Sequence, residues 1–342
     1  MSETASTTAT SLDERAVENL LGRVPALRAE LHKVIVGQDE TLEHLLVTLL
    51  AGGHALLEGV PGLAKTLMVR TLAQALELEF KRIQFTPDLM PSDILGTEVL
   101  EEDHTTGKRF FRFQPGPVFA NLVLADEINR SPPKTQAALL EAMQEGAVSY
   151  GGTTHRLTRP FFVLATQNPI EQAGTYPLPE AQLDRFLLYV RVGYPSAEEE
   201  RRILASTTGA APAEVRPALH AKDVLELQAL VRQVHVSDAL LDYAGRLVRA
   251  TRPATTEVAA VREHVEWGAG PRAGQSLILA GKAAALLAGR FSVTLDDLRR
   301  LAAPVLRHRV LINFRGQAEK VTPDALVGIL LEQVEVPKSP LG

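Results

Sequence analysis

A glycine-rich segment, residues 59–66 with the sequence GVPGLAKT, constrains this chain more than any other feature. The apolar run 54–58 precedes it, and a helical pattern at 67–73 follows it. Strand, glycine-rich turn and helix in this order form a phosphate-binding loop, whose backbone N–H groups point inward and cradle phosphate oxygens. The N-terminus of the following helix adds partial positive charge. The segment therefore predicts binding of a nucleoside triphosphate.

Both the backbone and the side chains of this segment are expected to contact the nucleotide. The expected contacts are Gly59, Val60, Pro61, Gly62, Leu63, Ala64, Lys65, Thr66 and Leu67. Lys65 would reach the β- and γ-phosphates, and the Thr66 hydroxyl would ligate Mg²⁺. The pattern has Gly before its lysine, whereas this chain has Ala64, which fits only if its backbone φ is negative. Because Ala64 stands at the beginning of a helix, we expect a negative φ there.

A pair of adjacent acids, Asp126 and Glu127, ends the apolar run 122–125. Carboxylates at the carboxyl end of a parallel strand face the crevice in which ligands of α/β proteins bind. Asp126 is expected to hold Mg²⁺ through water, and Glu127 is expected to polarise the attacking water. The alternative is a solvated strand end in an ordinary α/β domain, with residues 59–66 as a simple connection. The phosphate-loop pattern upstream favours the catalytic interpretation.

Three further residues are candidates for the site. Asn168 follows the apolar run 161–166 and could orient water against a γ-phosphate, although a strand followed by a turn is the simpler explanation. Arg185 stands between apolar residues and suits the charge of a phosphoryl transition state, although a surface salt bridge explains it more simply. Arg272 follows Pro271 in the first turn of a helix, where a cation is disfavoured, so an anion such as phosphate is expected nearby.

Five short apolar runs predict buried strands, at residues 54–58, 80–85, 121–125, 161–166 and 187–192. Helical patterns separate several of them, and strands that alternate with helices are typical of a parallel sheet with both faces covered. Proline and glycine interrupt this rhythm in an insertion at about 86–118. A short helix near 91–95 and a hairpin of 97–101 with 108–113 are expected there, and a second hairpin is expected at 147–158.

The chain is expected to contain two structured units. Strand patterns stop near residue 195, and helical patterns dominate from about residue 222. The predicted divisions are a disordered leader 1–11, an α/β core 12–207, a linker 208–217, a helical unit 218–334 and a loose tail 335–342. The fold class is therefore an α/β core followed by an all-helical unit.

Composition excludes several classes of protein. The chain has 342 residues, of which 45% are hydrophobic and 23% charged, as in ordinary globular proteins. It has no cysteine, which excludes a disulfide scaffold, cysteine-based zinc sites and a cysteine nucleophile. A net charge of -5 and a pI of about 6.0 give no support to nucleic-acid binding. We expect a cytoplasmic protein without a membrane span or a secretory signal.

Taken together, these segments resemble the AAA+ ATPases and, among them, the MoxR family. The resemblance rests on GVPGLAKT, FQPGPVFANLVLADEINRSPPKTQAALLEAMQE, VLATQNPIEQAGTYPLPEAQLDRF and, in the helical unit, GPRAGQSL. It covers about residues 20–335. It implies a parallel five-stranded nucleotide-binding core followed by an all-helical lid, and residues 86–118 match the insertion of the helix-2-insert group.

The resemblance also implies roles for single residues. It assigns Mg²⁺ and water to Asp126 and Glu127, and it makes Asn168 the first sensor and Arg272 the second. Arg185 matches the arginine finger, which would act on the nucleotide of a neighbouring subunit; Arg130 is the fallback. Residues 35–38 resemble the part that packs near adenine, which adds Val36 to the expected nucleotide contacts.

The function that the resemblance implies is Mg²⁺-dependent ATP hydrolysis by a ring, usually a hexamer. MoxR-like ATPases are thought to act as chaperones that remodel or activate partner proteins, often ones with a von Willebrand factor A domain. Metal or cofactor insertion is a recurring role in that family. Two alternatives stay open at this point: a nucleic-acid motor, which shares the insertion, and a nucleotide-dependent scaffold that hydrolyses ATP too slowly to do work.

Overall fold

The computed structural model describes residues 14–337, except 103–104, 106, 170–173 and 210–212. The expected leader 1–11 lies outside the described residues, as do three residues of the expected linker and most of the expected tail. The turn of the first expected hairpin is described only at Thr105 and Gly107.

Eleven strands occur in the described residues. They are β1 (Ala55–Glu58), β2 (Phe80–Gln84), β3 (Gly96–Glu102), β4 (Arg109–Pro115), β5 (Leu122–Asp126), β6 (Ala147–Tyr150), β7 (Thr153–Arg156), β8 (Phe162–Gln167), β9 (Leu188–Arg191), β10 (Val265–Trp267) and β11 (Leu311–Ile312). Five of them form one parallel sheet in the order β2-β5-β8-β1-β9. The others form the antiparallel pairs β3-β4, β6-β7 and β10-β11.

Fifteen α-helices occur in the described residues. They are α1 (Glu14–Gly22), α2 (Val24–His32), α3 (Asp39–Leu50), α4 (Lys65–Ala75), α5 (Pro91–Leu95), α6 (Pro133–Glu145), α7 (Glu180–Leu183), α8 (Ala197–Thr207), α9 (Ala221–Gln233), α10 (Asp238–Ala250), α11 (Ala259–His264), α12 (Pro271–Leu287), α13 (Leu295–Leu306), α14 (Phe314–Ala318) and α15 (Pro323–Gln333). No helix in this part of the chain is long and apolar enough to cross a membrane.

The predicted fold class is confirmed. All five predicted sheet strands are present within one residue or so of their expected ends, and both hairpins form where the turn residues placed them. The helical patterns after residue 222 correspond to α9, α10, α12, α13 and α15. The helical unit also contains the short pair β10-β11 and the helices α11 and α14, which are too short for periodicity to reveal.

Apolar side chains of the sheet alternate between two faces, and both faces are covered. Leu57 and Leu124 belong to one buried cluster, while Leu56, Val123 and Ala165 belong to another on the opposite face. All five are fully buried. This arrangement explains why the central strands read as continuous apolar runs rather than as alternating ones. Each fully buried leucine contributes about 1.5–3 kcal/mol to stability relative to an exposed one.

The helical unit packs against the core rather than standing apart from it. Helix α3 contacts α9 and α12, and β9 contacts α13. A buried stripe of α12, made of Leu277, Ala280, Ala284 and Leu287, belongs to the same apolar cluster as Leu57 in β1. One continuous core therefore joins the sheet face to the helical unit.

Candidate functional site

Because the five strands are parallel, their carboxyl ends meet at one edge of the sheet. Glu58 of β1 pairs with Gln167 of β8, and Gln84 of β2 pairs with Asp126 of β5. Strand β8 lies between β1 and β5. The phosphate-loop segment after Glu58 and the acid pair after Ala125 therefore open onto the same crevice, where α/β proteins bind their ligands.

The backbone of the loop forms a cradle for an anion. Gly62 has a φ of +88°, and no atom lies within 4 Å of the position that a Cβ would occupy there. Helix α4 begins at Lys65, and no side chain caps its N-terminus. Left-handed residues next to an uncapped helix start turn several N–H groups toward one point. These features fit a phosphate group.

The expected negative φ at Ala64 is wrong. Ala64 has a φ of 55° and a ψ of 21°, which is the left-handed helical region. In that region a Cβ crowds the following carbonyl oxygen, at a cost of roughly 1–2 kcal/mol for an L-residue. Ala64 is the residue before the helix rather than its first residue, so the helix start does not impose helical dihedral angles on it. The loop therefore holds a strained alanine where glycine would fit without strain.

Lys65 points back into the loop that precedes it. Its Nζ donates a hydrogen bond to the carbonyl oxygen of Gly59. Partial burial lowers the pKa of Lys65, and the charges of Asp126, Glu127 and Glu58 oppose that effect. The ammonium group therefore lies in the field of both members of the acid pair, at the place where phosphate oxygens are expected.

Asp126 is buried, and both of its carboxylate oxygens have partners. Thr166 Oγ1 donates to Oδ1 at 2.6 Å, and Arg82 donates to Oδ2 from Nη2 at 2.7 Å and from Nε at 3.1 Å. These contacts fix the orientation of the carboxylate. A metal held through water, as the sequence predicts, fits a carboxylate whose own oxygens are already engaged.

Glu127 occupies a second left-handed position, with a φ of 55°. Its backbone N–H donates to Thr166 Oγ1 at 2.8 Å, so a single hydroxyl orients both acids. Its Oε2 accepts hydrogen bonds from Gln84 Nε2 at 3.0 Å and from Arg130 Nη1 at 3.1 Å. The Glu127 carboxylate is thus presented toward the crevice by the backbone and held by side chains of neighbouring elements.

Asn168 and Val36 lie at the same edge of the sheet. Asn168 is buried and directly follows Gln167, between the ends of β1 and β5. Val36 is half-buried. Close to it, Gln38 Nε2 donates to the carbonyl oxygen of Gly193 at 3.0 Å, and the preceding Val192 lies against Gly59. The segment with Val36 is therefore joined to the loop by direct contacts.

The two expected arginines lie at the other edge of the sheet. Arg185 precedes β9, whose first residue Leu188 pairs with Ala55 at the amino end of β1. Arg272 Nη1 lies 3.7 Å from Asp184 Oδ2, so the anion that the structure places near Arg272 is a carboxylate of its own chain. The Arg185 side chain has no hydrogen bond or ion pair with any residue in the described part of the chain.

This arginine cluster is held in place by a buried cation. Arg309 Nε donates to Asp184 Oδ1 at 2.7 Å, and its Nη2 donates to the carbonyl oxygen of Phe186 at 2.7 Å. Strand β1 has four residues, so its first and last Cα atoms lie three steps apart, which is about 10 Å at roughly 3.3 Å per residue. Arg185 and Arg272 therefore share one edge of the sheet, and the phosphate loop lies at the other.

Several residues that position the site were not found from the sequence. Arg82 and Gln84 lie on β2, a strand whose pattern gave only its apolar residues, and Thr166 lies inside an apolar run. Arg191 joins the core to the helical unit, because it donates to Glu58 Oε2 at 3.2 Å and to Asp324 Oδ2 at 2.6 Å. Polar residues that alternate along β2 were the available signal for the first two.

Comparison with known proteins decides the family. The family model of the ATPase family associated with various cellular activities (AAA) matches residues 54–188, and the AAA lid domain matches residues 257–328. The chain is 47% identical to "Chaperone MoxR1" of Mycobacterium tuberculosis over 310 residues, which is 90% of this chain and 81% of that protein. The chain belongs to the MoxR family of AAA+ ATPases. The stretches that predicted this family supply both the crevice and, at the opposite edge of the sheet, Arg185 and Arg272.

Other similar proteins agree with this assignment. "Protein MoxR" of Paracoccus denitrificans is 34% identical over 328 residues, with 90% of this chain and 95% of that protein covered. A crystal structure of a protein from Cytophaga hutchinsonii, described as a candidate ATPase, superimposes with a TM-score of 0.88 at 42% identity and covers 95% of this chain and 98% of that one. A nucleotide-binding core followed by a helical lid is the architecture of this MoxR-family chain, and nucleotide binding is what the family implies.

Proposed function

We propose that this MoxR-family protein hydrolyses ATP with Mg²⁺ as a head-to-tail ring, a hexamer by family resemblance, and uses the energy to remodel client proteins in the cytoplasm. One observation carries the proposal. The phosphate loop and the acid pair lie at one edge of the sheet, whereas Arg185 and Arg272 lie at the other. A chain built in this way completes its site only with a second copy.

Within one chain, the loop would bind the nucleotide phosphates, and the acid pair would hold Mg²⁺ and activate the attacking water. The N–H groups around Gly62 and Ala64 and the ammonium group of Lys65 would hold the phosphates. Thr66 and Asp126 would hold Mg²⁺, which neutralises charge on the phosphate oxygens when bound. Glu127 would accept a proton from the attacking water as its general base.

Asn168 and the hydrogen bonds of Glu127 would set the geometry of that step. Asn168 lies beside the end of β8 and would orient the water. Gln84 and Arg130 both donate to Glu127 Oε2, so they would orient the carboxylate while Oε1 accepts the proton of the water.

The arginines would act between subunits. In a head-to-tail ring, the face with Arg185 and Arg272 of one copy meets the crevice of the next. An arginine supplied in trans stabilises the charge of the phosphoryl transition state by a factor of about 10³–10⁵. Asp184 would position both arginines, because it precedes Arg185 in the chain and its carboxylate contacts Arg272. Arg309 would hold Asp184 in place through its hydrogen bond to the same carboxylate.

The insertion hairpin favours a protein client over nucleic acid. Of its three cations at residues 108, 109 and 112, Arg109 and Arg112 are paired with Glu102 at 3.1 Å and with Glu101 at 3.5 Å, and only Lys108 has no such pair among the described residues. Cations neutralised by their own strand partners release few phosphate counterions, which is the main source of nucleic-acid affinity. The names of the relatives agree with a chaperone, and a client with a von Willebrand factor A domain, or metal or cofactor insertion, follows from family resemblance alone.

The first test concerns the general base. Glu127→Gln should retain ATP binding by calorimetry while turnover falls by roughly 10²–10⁴, the usual contribution of a positioned base. Glu141→Gln, on the exposed side of α6, is the matched control and should change neither quantity. Near-normal turnover in Glu127→Gln would remove the base from the proposal. Stimulation of turnover by single-stranded nucleic acid, rather than by a protein, would favour the motor.

The second test concerns the subunit boundary. Arg185→Ala and Arg272→Ala should each bind ATP and hydrolyse it poorly. Mixing either with Glu127→Gln should restore activity, because some boundaries then contain one intact acid pair and one intact arginine face. Mixing Arg185→Ala with Arg272→Ala should restore nothing, because every face lacks one arginine. Recovery in that last mixture would place Arg272 on the nucleotide of its own chain.

A further inference from the structure

A groove between α10 and α12 of the helical unit has no role in the site described above. Its volume is about 980 Å³, and it has an apolar floor of Leu241, Ala244, Val248, Ile278 and Leu279. Four cations, Arg232, Arg249, Arg252 and Lys282, also line it, and no acidic side chain of the described chain does. We call this feature the basic groove.

The cations of the basic groove are not neutralised. None of them has a carboxylate within 4 Å among the described residues, although ion pairs are common elsewhere in the helical unit, as between Arg290 and Asp297 at 2.7 Å. Lys282 Nζ donates to the carbonyl oxygen of Arg232 at 3.1 Å, which brings two positive side chains together. Burial and the charge of Arg232 lower the pKa of Lys282. An acidic partner would relieve this repulsion.

The cations are distributed at the two ends of the groove. Arg252 Nε donates to the carbonyl oxygen of Ala269 at 3.1 Å, so the end of α10 lies beside the beginning of α12. Lys282 and Arg232 lie at the other end. Leu241 to the end of α10 at Ala250 is nine residues, or about 14 Å at roughly 1.5 Å per residue, and Arg252 follows directly. The groove is thus at least about two and a half turns of a helix long, with cations at both ends of an apolar floor.

Stabilisation of the helices themselves explains only part of this pattern. Arg232 and Arg249 stand in the last turns of α9 and α10, where a cation is favoured by the helix dipole. Lys282 lies well inside α12, where the dipole gives no such advantage. The dipole also gives no reason for exposed aliphatic surface between the cations, where Leu241 is 45% exposed and Ile278 and Leu279 are half-buried.

We propose that the basic groove binds an acidic amphipathic helix of a client protein, with apolar residues on the floor and carboxylates at both ends. The proposal rests on the chaperone role proposed above and gives it a recognition chemistry. An amphipathic helix binds in such a groove through apolar side chains spaced three, four and seven residues apart. Acids before and after that apolar stripe would meet the two pairs of cations.

Two other occupants fit less well. Nucleic acid that is held without sequence preference stacks its bases on aromatic side chains, and the groove lining contains none. Helix α8 of a second copy has no buried residue in its own chain and begins with three glutamates, but Arg201 and Arg202 follow them directly. Those two arginines would oppose the groove cations.

The test uses synthetic peptides and fluorescence anisotropy with the full chain. The probe is a labelled, helix-stabilised peptide of 14 residues with glutamates at both ends and a leucine stripe at helical spacing. One control peptide has lysine in place of every glutamate. A second has the same composition in an order that destroys the stripe. We expect the probe to bind, and both controls to bind at least about tenfold more weakly, because each loses one half of the complementarity.

Protein variants then locate the binding surface. Arg249→Glu with Lys282→Glu should reduce probe affinity by roughly tenfold or more, since two attractions become repulsions. The milder pair Arg249→Ala and Lys282→Ala should give a smaller loss and guards against misfolding. Arg201→Glu with Arg202→Glu, on exposed α8, makes the same change of charge and should leave binding unchanged.

Each result decides something. No binding of the probe, equal binding of the reordered peptide, or equal loss in the α8 variant would overturn the proposal. Loss of oligomers in the groove variants would assign the groove to a second copy instead. Basal ATP turnover of the groove variants should be unchanged, which separates this proposal from the ATPase: absence of ATP turnover in the unmodified protein would refute the latter and leave peptide binding untouched.

Discussion

The strained loop residue Ala64 gives the sharpest quantitative test of the structure. Its φ of 55° places an L-residue in the left-handed region, which costs roughly 1–2 kcal/mol. Ala64→Gly removes that cost, but it also adds conformational entropy to the unfolded chain, worth about 0.5–1 kcal/mol against folding. The difference predicts a net gain of about 0.5–1 kcal/mol in the free energy of unfolding.

A second alanine-to-glycine substitution measures the entropy cost of glycine without any relief of strain. Ala137 lies on the exposed side of α6 in regular helical conformation, so Ala137→Gly has the same entropy cost and no strain to relieve. It should lower the free energy of unfolding by about 0.5–1 kcal/mol. The two alanine-to-glycine changes should therefore have opposite signs. Ala64→Val should be the most harmful of the series, because a β-branched residue is a genuine outlier at positive φ.

Urea denaturation of the nucleotide-free protein, compared at equal m-values, measures these differences. ATP affinity by calorimetry should stay within about tenfold in Ala64→Gly, since the loop is already in its left-handed form before binding and the strain is common to both states. A loss of stability equal to that of Ala137→Gly would refute the reasoning, because it would mean that Ala64 carries no strain in solution.

Three further predictions follow from single residues. Lys65→Ala should weaken ATP binding by roughly tenfold or more in calorimetry, because its ammonium is proposed to pair with the phosphates. Burial lowers the pKa of His54 to about 4 from 6.5, so the folded protein takes up this proton less readily than the unfolded chain. The free energy of unfolding should therefore fall as the pH is lowered from 6.5 toward 4, by about 2 kcal/mol at pH 5. His54→Gln should abolish this part of the pH dependence in urea titrations. Arg309→Met should cost about 3–5 kcal/mol of stability by thermal or urea unfolding, because Asp184 and a buried carbonyl lose their donor.

The sequence predicted those features that depend on local chemistry. Apolar runs predicted the sheet strands, because strands buried on both faces need apolar side chains at every position. The acid pair was placed correctly at a strand end, since parallel strands bring their carboxyl ends to one edge. Glycines and prolines predicted both hairpins. Each of these inferences needs only neighbours along the chain.

What the sequence could not predict depends on residues far apart in the chain. The conformation of Ala64 was predicted wrongly, because one residue decides whether a position precedes a helix or begins it. Arg309 meets Asp184 across 125 positions of sequence, so no local pattern connects them. Helix α8 was missed because it has no buried stripe to give it a period. The edge on which Arg272 lies likewise depends on how the helical unit packs.

Strand β9 shows how a nucleotide could act on the rest of the molecule. At its carboxyl end, Arg191 donates to Glu58 beside the phosphate loop and to Asp324 of α15. In its middle, Arg307 donates to the carbonyl oxygen of Tyr189 at 3.0 Å. At its amino end, Arg309 holds the segment that enters it. The helical unit is thus fastened to β9 along the whole strand.

These contacts along β9 oppose a hinge motion between the core and the helical unit. Charged hydrogen bonds at three points, over one continuous apolar core, would all have to break for the two to separate. In the ring proposed above, the crevice of one chain would meet the arginine face of the next. A change from ATP to ADP would then act first at that boundary, with each chain rotating as a block. Amide hydrogen exchange along β9 that stays equally slow with ATP, with ADP and without nucleotide would agree with this reasoning, and exchange at Leu188 that quickens on hydrolysis would contradict it.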